Sequence, residues 1–176
     1  MAKHISFKEE QKFRQWWIWM IILVSLGFWA YSLIVQVLAG NTTDGPTSNA
    51  ILILVGLLPL LLIYLFFSIK MITKVDSEGV HYRFAPWQRK TKTIRPGDIQ
   101  EYNIRKYRPL VVYGGWGVRS GNKKYGRAYN VTGNIGLQFI FKNNNKLLLG
   151  TQRAESFKRA VDKMMEIART ADQSSQ

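Results

Sequence analysis

The strongest constraint on this chain is a pair of long apolar runs with no charge in them. The first spans residues 16–38, which is 23 residues, and the second spans residues 50–69, which is 20. At 1.5 Å of rise per residue a helix over the first run covers roughly 34 Å, enough to cross a hydrocarbon core of about 30 Å. Two transmembrane helices near the N-terminus are therefore expected. Trp16, Trp17 and Trp19 cluster where the first run begins. An indole has an apolar body and one N–H donor, so this cluster is expected at the membrane–water interface. Gly56 and Pro59 fall inside the second run, and proline there predicts a bend. Neither run holds an ionisable side chain that could serve as a relay or ion site, which argues against a transport path through the pair.

The first run is too long for the apolar region of a cleavable signal peptide. No clean small-x-small site follows it, and a second run comes directly after. Residues 40–49 form a turn-rich polar loop without Lys or Arg, whereas Lys3, Lys8, Lys12 and Arg14 precede the first run and Lys70 and Lys74 follow the second. Positive charge resists translocation. The expected arrangement is an integral inner- or plasma-membrane protein with both termini cytoplasmic and the short loop 40–49 outside. Residues 1–72 would form an N-terminal segment and helical hairpin, 73–169 a cytoplasmic domain, and 170–176 a disordered tail.

The formal net charge is +14. From Lys70 onward 21 Lys/Arg face 8 Asp/Glu, so +13 lies in the cytoplasmic part. A charge of that size suggests an anionic partner, and in a tethered protein an acidic membrane surface is the nearest one; the bland alternative is a solvated face that obeys the positive-inside bias. The chain has no cysteine and only two histidines. That excludes a disulfide framework and thiolate metal sites and leaves little for a histidine site, so no metal and no cofactor are expected.

From residue 71 the pattern changes to short segments rich in β-branched and aromatic residues, punctuated by Gly, Pro and Asn. Strands are expected near residues 72–76, 79–84, 90–94, 99–107, 110–112, 128–131, 136–141 and 146–150. Ser77-Glu78-Gly79 and Asn143-Asn144-Asn145 read as hairpin turns, and Arg95-Pro96-Gly97-Asp98 as a break between strands. Residues 133–150 read as a hairpin with one face buried. A last helix is expected with Thr151 as N-cap and Glu155 in the first turn. Phe157, Ala160, Val161, Met164 and Ala168 recur at helical spacing and should pack that helix on a sheet. Seven or eight antiparallel strands closed by one apolar-striped helix is the layout of a pleckstrin-homology-like bent barrel.

Particular segments carry a resemblance. Lys92-Thr93-Ile94-Arg95-Pro96-Gly97-Asp98-Ile99, Tyr113-Gly114-Gly115-Trp116-Gly117-Val118-Arg119, Ala128-Tyr129-Asn130-Val131-Thr132-Gly133, Gly136-Leu137-Gln138-Phe139 and Leu149-Gly150-Thr151-Gln152 together span most of residues 71–168. In these the chain resembles small bacterial two-span membrane proteins with a bacterial pleckstrin-homology-like cytoplasmic domain. The resemblance implies the fold and assigns no activity.

Gly114, Gly115 and Gly117 with Arg119, Lys123, Lys124 and Arg127 form the most suggestive cluster. Glycines let backbone amides approach an anion and the cations would hold a phosphate, such as a lipid headgroup. A tight loop with Trp116 packed on the barrel is the structural alternative. The P-loop spacing is absent. Arg105, Lys106 and Arg108 interleave with Tyr102 and Tyr107, a pattern that single-stranded nucleic acid could use, but an ordinary half-exposed strand looks the same and nucleic acid is not the expected partner. Between residue 71 and the last helix the carboxylates are Asp76, Glu78, Asp98 and Glu101, all at turns or strand ends. No catalytic set is apparent, and no enzymatic activity is expected. The expected function is a non-catalytic membrane module whose basic domain docks a partner or binds anionic lipid. The alternative is an accessory subunit of a membrane transporter or channel complex, with another membrane protein as partner.

Overall fold

The computed structural model describes residues 7–13, 16–38, 46–121 and 125–173. These divide into two compact units, one running from the first apolar helix to Ser68 and the other combining the residues up to Phe13 with those from Ile69 onward.

The helical unit holds α1 (Trp16–Leu38) and α2 (Pro46–Ser68). Proline opens α2, where its missing N–H costs nothing, so the second helix starts four residues before the expected 50 and absorbs the end of the expected loop 40–49; residues 39–45 lie outside the described residues. Pro59 sits within α2, which remains one continuous helix. The helices pack through aromatic and small side chains. The Trp19 and Phe67 rings lie 4.9 Å apart, and a Cβ added at Gly56 would come within 2.2 Å of the Trp29 indole. Ser25, Ser32 and Ser68 return their hydroxyls to the carbonyls of Ile22, Trp29 and Tyr64, so these polar groups are satisfied within their own helices. The segment Trp16–Gln36 is long and apolar enough to cross a membrane, and almost none of it is buried.

The second unit is mainly β, with two sheets and a C-terminal helix. Sheet one is an antiparallel meander of β1 (Phe7–Lys12), β2 (Lys70–Asp76), β3 (Gly79–Ala85) and β4 (Lys92–Ile94). Sheet two has the order β5 (Ile99–Lys106), β8 (Ile135–Phe141), β9 (Lys146–Gly150), β7 (Arg127–Asn130) and β6 (Gly117–Ser120). A 3-10 turn at Pro96–Asp98 joins the sheets where a break was expected. The strands number nine among the described residues rather than seven or eight, and β7 runs parallel to β9 rather than antiparallel. That parallel pair brings backbones close: Gly126 has φ +71°, and a Cβ there would lie 2.2 Å from the Lys146 carbonyl.

The N-terminal boundary is a correction. Residues 7–12 read in the sequence as part of the segment before the membrane, yet they form β1, paired with β2 from Phe7↔Val75 to Lys12↔Lys70. The reason is alternation with an unusual inward set. Phe7, Glu9 and Gln11 are buried while Lys8, Glu10 and Lys12 are exposed. Phe7 stacks on Phe157 at 5.0 Å. Gln11 donates to the Gly150 carbonyl at 2.7 Å and to Glu9 at 3.1 Å. Glu9 in turn accepts from the Thr151 hydroxyl and, at 2.9 Å, from the Gln152 N–H. A buried carboxylate is tolerable only with donors of this kind around it.

The expected strand at 110–112 is also corrected. It is a short helix, α3 (Pro109–Tyr113), started by proline and ended by Gly114 in the left-handed region at φ 69°. Tyr113 on α3 packs with Tyr107, Ala128 and Leu148, and so covers a second face of sheet two. The hairpin 133–150, expected with one face buried, is buried on both through its centre: Leu148 lies under Tyr113, while Phe139 on the alternate face meets Phe157. Helix α4 (Ala154–Gln173) packs against β1, β2, β5 and β8 with Phe157, Val161 and Met164 buried, as the stripe predicts. Thr151 does not cap it. Its hydroxyl oxygen accepts from the Arg153 N–H at 3.0 Å, and the first helical bond runs from the Phe157 N–H to the Arg153 carbonyl. The helix reaches Gln173, so 170–173 are not a free tail; 174–176 lie outside the described residues.

Candidate anion-binding site

Of the two readings of the glycine cluster, the geometry is that of the tight loop and not of the amide cradle. The Gly114 N–H donates to the Leu110 carbonyl at 3.1 Å and the Gly115 N–H to the Pro109 carbonyl at 3.0 Å, together closing α3. The Gly117 N–H donates to Asn130 Oδ1 at 2.9 Å. All three amides are engaged inside the protein, so the glycines serve the turn. Trp116 is fixed there as well, its indole donating to the Gly133 carbonyl at 3.2 Å.

The cations of that cluster separate too. Arg119 is opposite Ala128 across β6 and β7, while Arg127 is opposite Ser120. Paired residues share a face and neighbours alternate, so Arg119 and Arg127 point to opposite sides of the sheet. Arg119 Nε donates to the Trp116 carbonyl at 3.2 Å. Lys123 and Lys124 lie outside the described residues.

Arg127 instead joins residues that the sequence reading did not group with it. It lines an open cleft of about 1140 Å³ together with Tyr82 of β3, Asp98 of the 3-10 turn, and Lys142, Asn144 and Lys146 at the β8–β9 turn. The turn that presents the lysines is built locally. Asn144 takes φ 61°, the Asn145 N–H donates to Asn143 Oδ1 at 3.0 Å, and the Phe141 N–H donates to the Asn145 carbonyl at 2.9 Å. The Lys142 N–H is held by the Asp98 carbonyl at 3.1 Å, which ties the turn to the inter-sheet connection. Tyr82 is pushed up to about 12, first by burial and then by its neighbour Tyr129, with Arg127 opposing, so its hydroxyl is a neutral hydrogen-bonding group at physiological pH. Arg127 shares the face of its partner Leu147 and Lys146 takes the other, so the cations reach the cleft from both faces of the sheet. Three cations against one carboxylate, with amide and phenol donors nearby, suit an oxyanion such as a phosphate. Local sequence could have hinted at this only through Lys142 and Lys146 flanking the asparagine turn; Arg127 is brought in by the parallel pairing of β7 with β9.

Sequence reading also missed a hydrogen-bonded chain across sheet one. His81 bonds Asp76 Oδ1 through Nε2 at 2.9 Å and the Thr93 hydroxyl through Nδ1 at 2.8 Å. Burial raises the Asp76 pKa, but the His81 hydrogen bond, the backbone N–H groups of Glu78 and Gly79, and the His81 charge outweigh it and leave the carboxyl below its ordinary value. The ionised Asp76 carboxylate accepts from Nε2, and the Thr93 hydroxyl partners Nδ1. These residues do not line the cleft; they clamp the β2–β3 turn and hold β4 in register. Arg105 has a structural part as well. It stacks on Tyr125 at 4.6 Å and donates to Gln138 at 2.6 Å, so it is not presented for base stacking as the nucleic-acid alternative requires. Among the tryptophans of the expected interface cluster, Trp16 and Trp17 are exposed whereas Trp19 is turned onto Phe67.

No family model, curated protein or solved structure matches the chain.

Proposed function

We propose that this chain is a non-catalytic, two-span membrane protein whose pleckstrin-homology-like domain is held at the cytoplasmic surface as an anion-binding docking module. The observation that carries the reading is the pairing of β1 with β2. The strand before α1 and the strand after α2 are hydrogen-bonded neighbours, with Lys12 opposite Lys70. The helical segment thus leaves and re-enters one sheet at one place, which requires an even number of crossings. Two helices supply an even number: Trp16–Gln36 is long and apolar enough to cross a membrane, and α2 carries a shorter apolar stretch, Ile53–Ser68. Their outward side chains are large and apolar, including Phe28, Tyr31, Leu54 and Leu61, an exposure that water would penalise heavily. The lysine-rich flanks support a cytoplasmic position for the shared end. A meander of four strands, a second sheet and a closing helix agree with a bent pleckstrin-homology-like sandwich, and Arg127, Lys142 and Lys146 line a cation-rich cleft in it.

The test uses the full chain in nanodiscs, with hydrogen exchange followed in peptides covering residues 142–147. Protection in discs containing an anionic phospholipid identifies headgroups as the ligand. Protection in neutral discs only on adding pyrophosphate identifies a soluble phosphate. Near a charged surface each Lys or Arg contributes about 1 kcal/mol, so the variant carrying Arg127→Gln, Lys142→Gln and Lys146→Gln should bind roughly a hundredfold more weakly. No protection in either arm removes the cleft as an anion site.

A further inference from the structure

We infer that the β3–β4 loop, residues 86–91, is a second membrane contact, with Trp87 seated among the lipid headgroups and Arg89 and Lys90 against their phosphates. This rests on the reading of α1 and α2 as membrane-spanning. The register of sheet one carries it. Lys12, Lys70 and Ala85 lie side by side on β1, β2 and β3. The first two are the points where the chain enters and leaves the helical segment, so the loop that follows Ala85 emerges at the tethered end of the sheet. The opposite end, the β2–β3 turn at Ser77 and Glu78, is a full strand away, roughly 23 Å.

The loop has the composition such a contact needs. Trp87 is 62% exposed, unusual for the largest apolar side chain on a folded domain. Its ring is backed on one side by Phe84 at 5.9 Å. The loop is braced: the Gln88 N–H donates to the Phe84 carbonyl at 2.7 Å, and its side-chain amide donates to the carbonyls of Tyr82 and Lys90 at 3.3 and 3.1 Å. From Gly79 to Gly97 the chain has Arg83, Arg89, Lys90, Lys92 and Arg95 and no carboxylate. An exposed indole held rigidly within a carboxylate-free basic stretch is matched to an anionic bilayer surface, where the ring takes the interface and the cations take the phosphates. A protein partner of acidic surface is the other occupant that the charge would fit, and the experiment separates the two.

The natural chain has no cysteine, so single nitroxide labels can be placed at Thr91→Cys, Ser77→Cys and Val24→Cys in the full chain. The labelled proteins are reconstituted in vesicles of neutral and anionic phospholipid, and accessibility to oxygen and to a soluble nickel chelate is measured. The expected result is a label at 91 shielded from nickel and exposed to oxygen at interfacial depth, a fully aqueous label at 77, and a lipid-buried label at 24. Adding Trp87→Ser, Arg89→Gln and Lys90→Gln to the Thr91→Cys chain should raise nickel accessibility at 91, roughly fivefold for each charge removed. A label at 91 as aqueous as that at 77 overturns the inference while leaving the hairpin standing, and directs the search to a protein partner. An aqueous label at 24 overturns the membrane reading itself.

Discussion

Replacing Glu9 tests whether the strand before the first apolar helix is part of the β domain. Glu9 is 8% exposed and accepts three hydrogen bonds: from the Thr151 hydroxyl, the Gln152 N–H and the Gln11 amide. Glu9→Ala removes all three and leaves buried donors without an acceptor, each worth about 1–3 kcal/mol. Some re-pair with water or with each other, so a net cost of about 3 kcal/mol is expected. For a unit of about 120 residues the unfolding entropy is about 0.25 kcal/mol/K, which converts that cost to a melting temperature about 12 °C lower. Glu9→Gln keeps the oxygen that serves Gln152 and Gln11 and can donate to Thr151 Oγ1 if that hydroxyl turns, so its cost should be about 1 kcal/mol, or roughly 4 °C. The assay is thermal unfolding of the full chain in detergent, followed by the β-sheet signal in far-ultraviolet circular dichroism. The ordering wild type, Gln, Ala is the informative result. An alanine variant that melts within 2 °C of wild type would refute the docking of β1 against the α4 entry.

Two further predictions concern protonation. Asp76→Asn should destabilise the domain by about 2 kcal/mol at neutral pH by weakening the bonds from His81, Glu78 and Gly79. Because the folded carboxyl lies below its ordinary 3.8, its contribution is fully present above about pH 4 and lost as pH falls through the folded value. The melting-temperature gap between variant and wild type should therefore close at acid pH; a gap independent of pH would show that the charge is not involved. At the alkaline end, Tyr82 and Tyr102 are both raised to about 12, chiefly by burial, with the Asp162 hydrogen bond and charge adding at Tyr102. Folded pKa values above the ordinary 10 mean stability is intact below pH 10 and is lost as pH climbs toward 12. Tyrosinate absorbance at 295 nm should lag that of the denatured chain in this window, and Asp162→Asn should restore part of the missing step by freeing Tyr102; an identical titration for that variant would exclude the Tyr102–Asp162 bond.

The elements legible in the sequence are those whose cause is local. Hydropathy locates α1 to the residue because nothing but solvent preference is needed, and the asparagine turn with its flanking alternation locates β8 and β9. The α4 stripe predicts its buried face for the same reason. What failed depends on distant partners. Phe7-Lys8-Glu9-Glu10-Gln11-Lys12 looks like a charged flank, and Glu9 becomes an inward residue only through Thr151 and Gln152, more than a hundred residues away. Leu110-Val111-Val112 has strand composition, but Pro109 and Gly114 bound it as one helical turn and the hydroxyphenyl ring of Tyr113 seals the sheet beneath. Gly114, Gly115 and Gly117 read in the sequence either as an amide cradle or as a tight loop, and the loop is what forms. Their carbonyl partners could not be seen in the sequence, and neither could Arg127's side of the sheet, which only the β6–β7 register decides.

The contact between Glu9 and the Thr151–Gln152 segment also imposes an order of events during synthesis. The strand 7–12 leaves the ribosome first, yet its buried partners on β9 and at the α4 entry emerge last, after both apolar helices. Loop closure over that separation is slow compared with helix formation, so the helices can be delivered to the bilayer while the β domain is still open, with β1 able to pair with β2 but Glu9 and Gln11 still without their partners at residues 150–152. Translation order thus favours insertion before completion of the domain, and a chain truncated before residue 150 would keep the β1–β2 pair but leave Phe7, Glu9 and Gln11 without Phe157, Thr151, Gln152 and Gly150 to cover them.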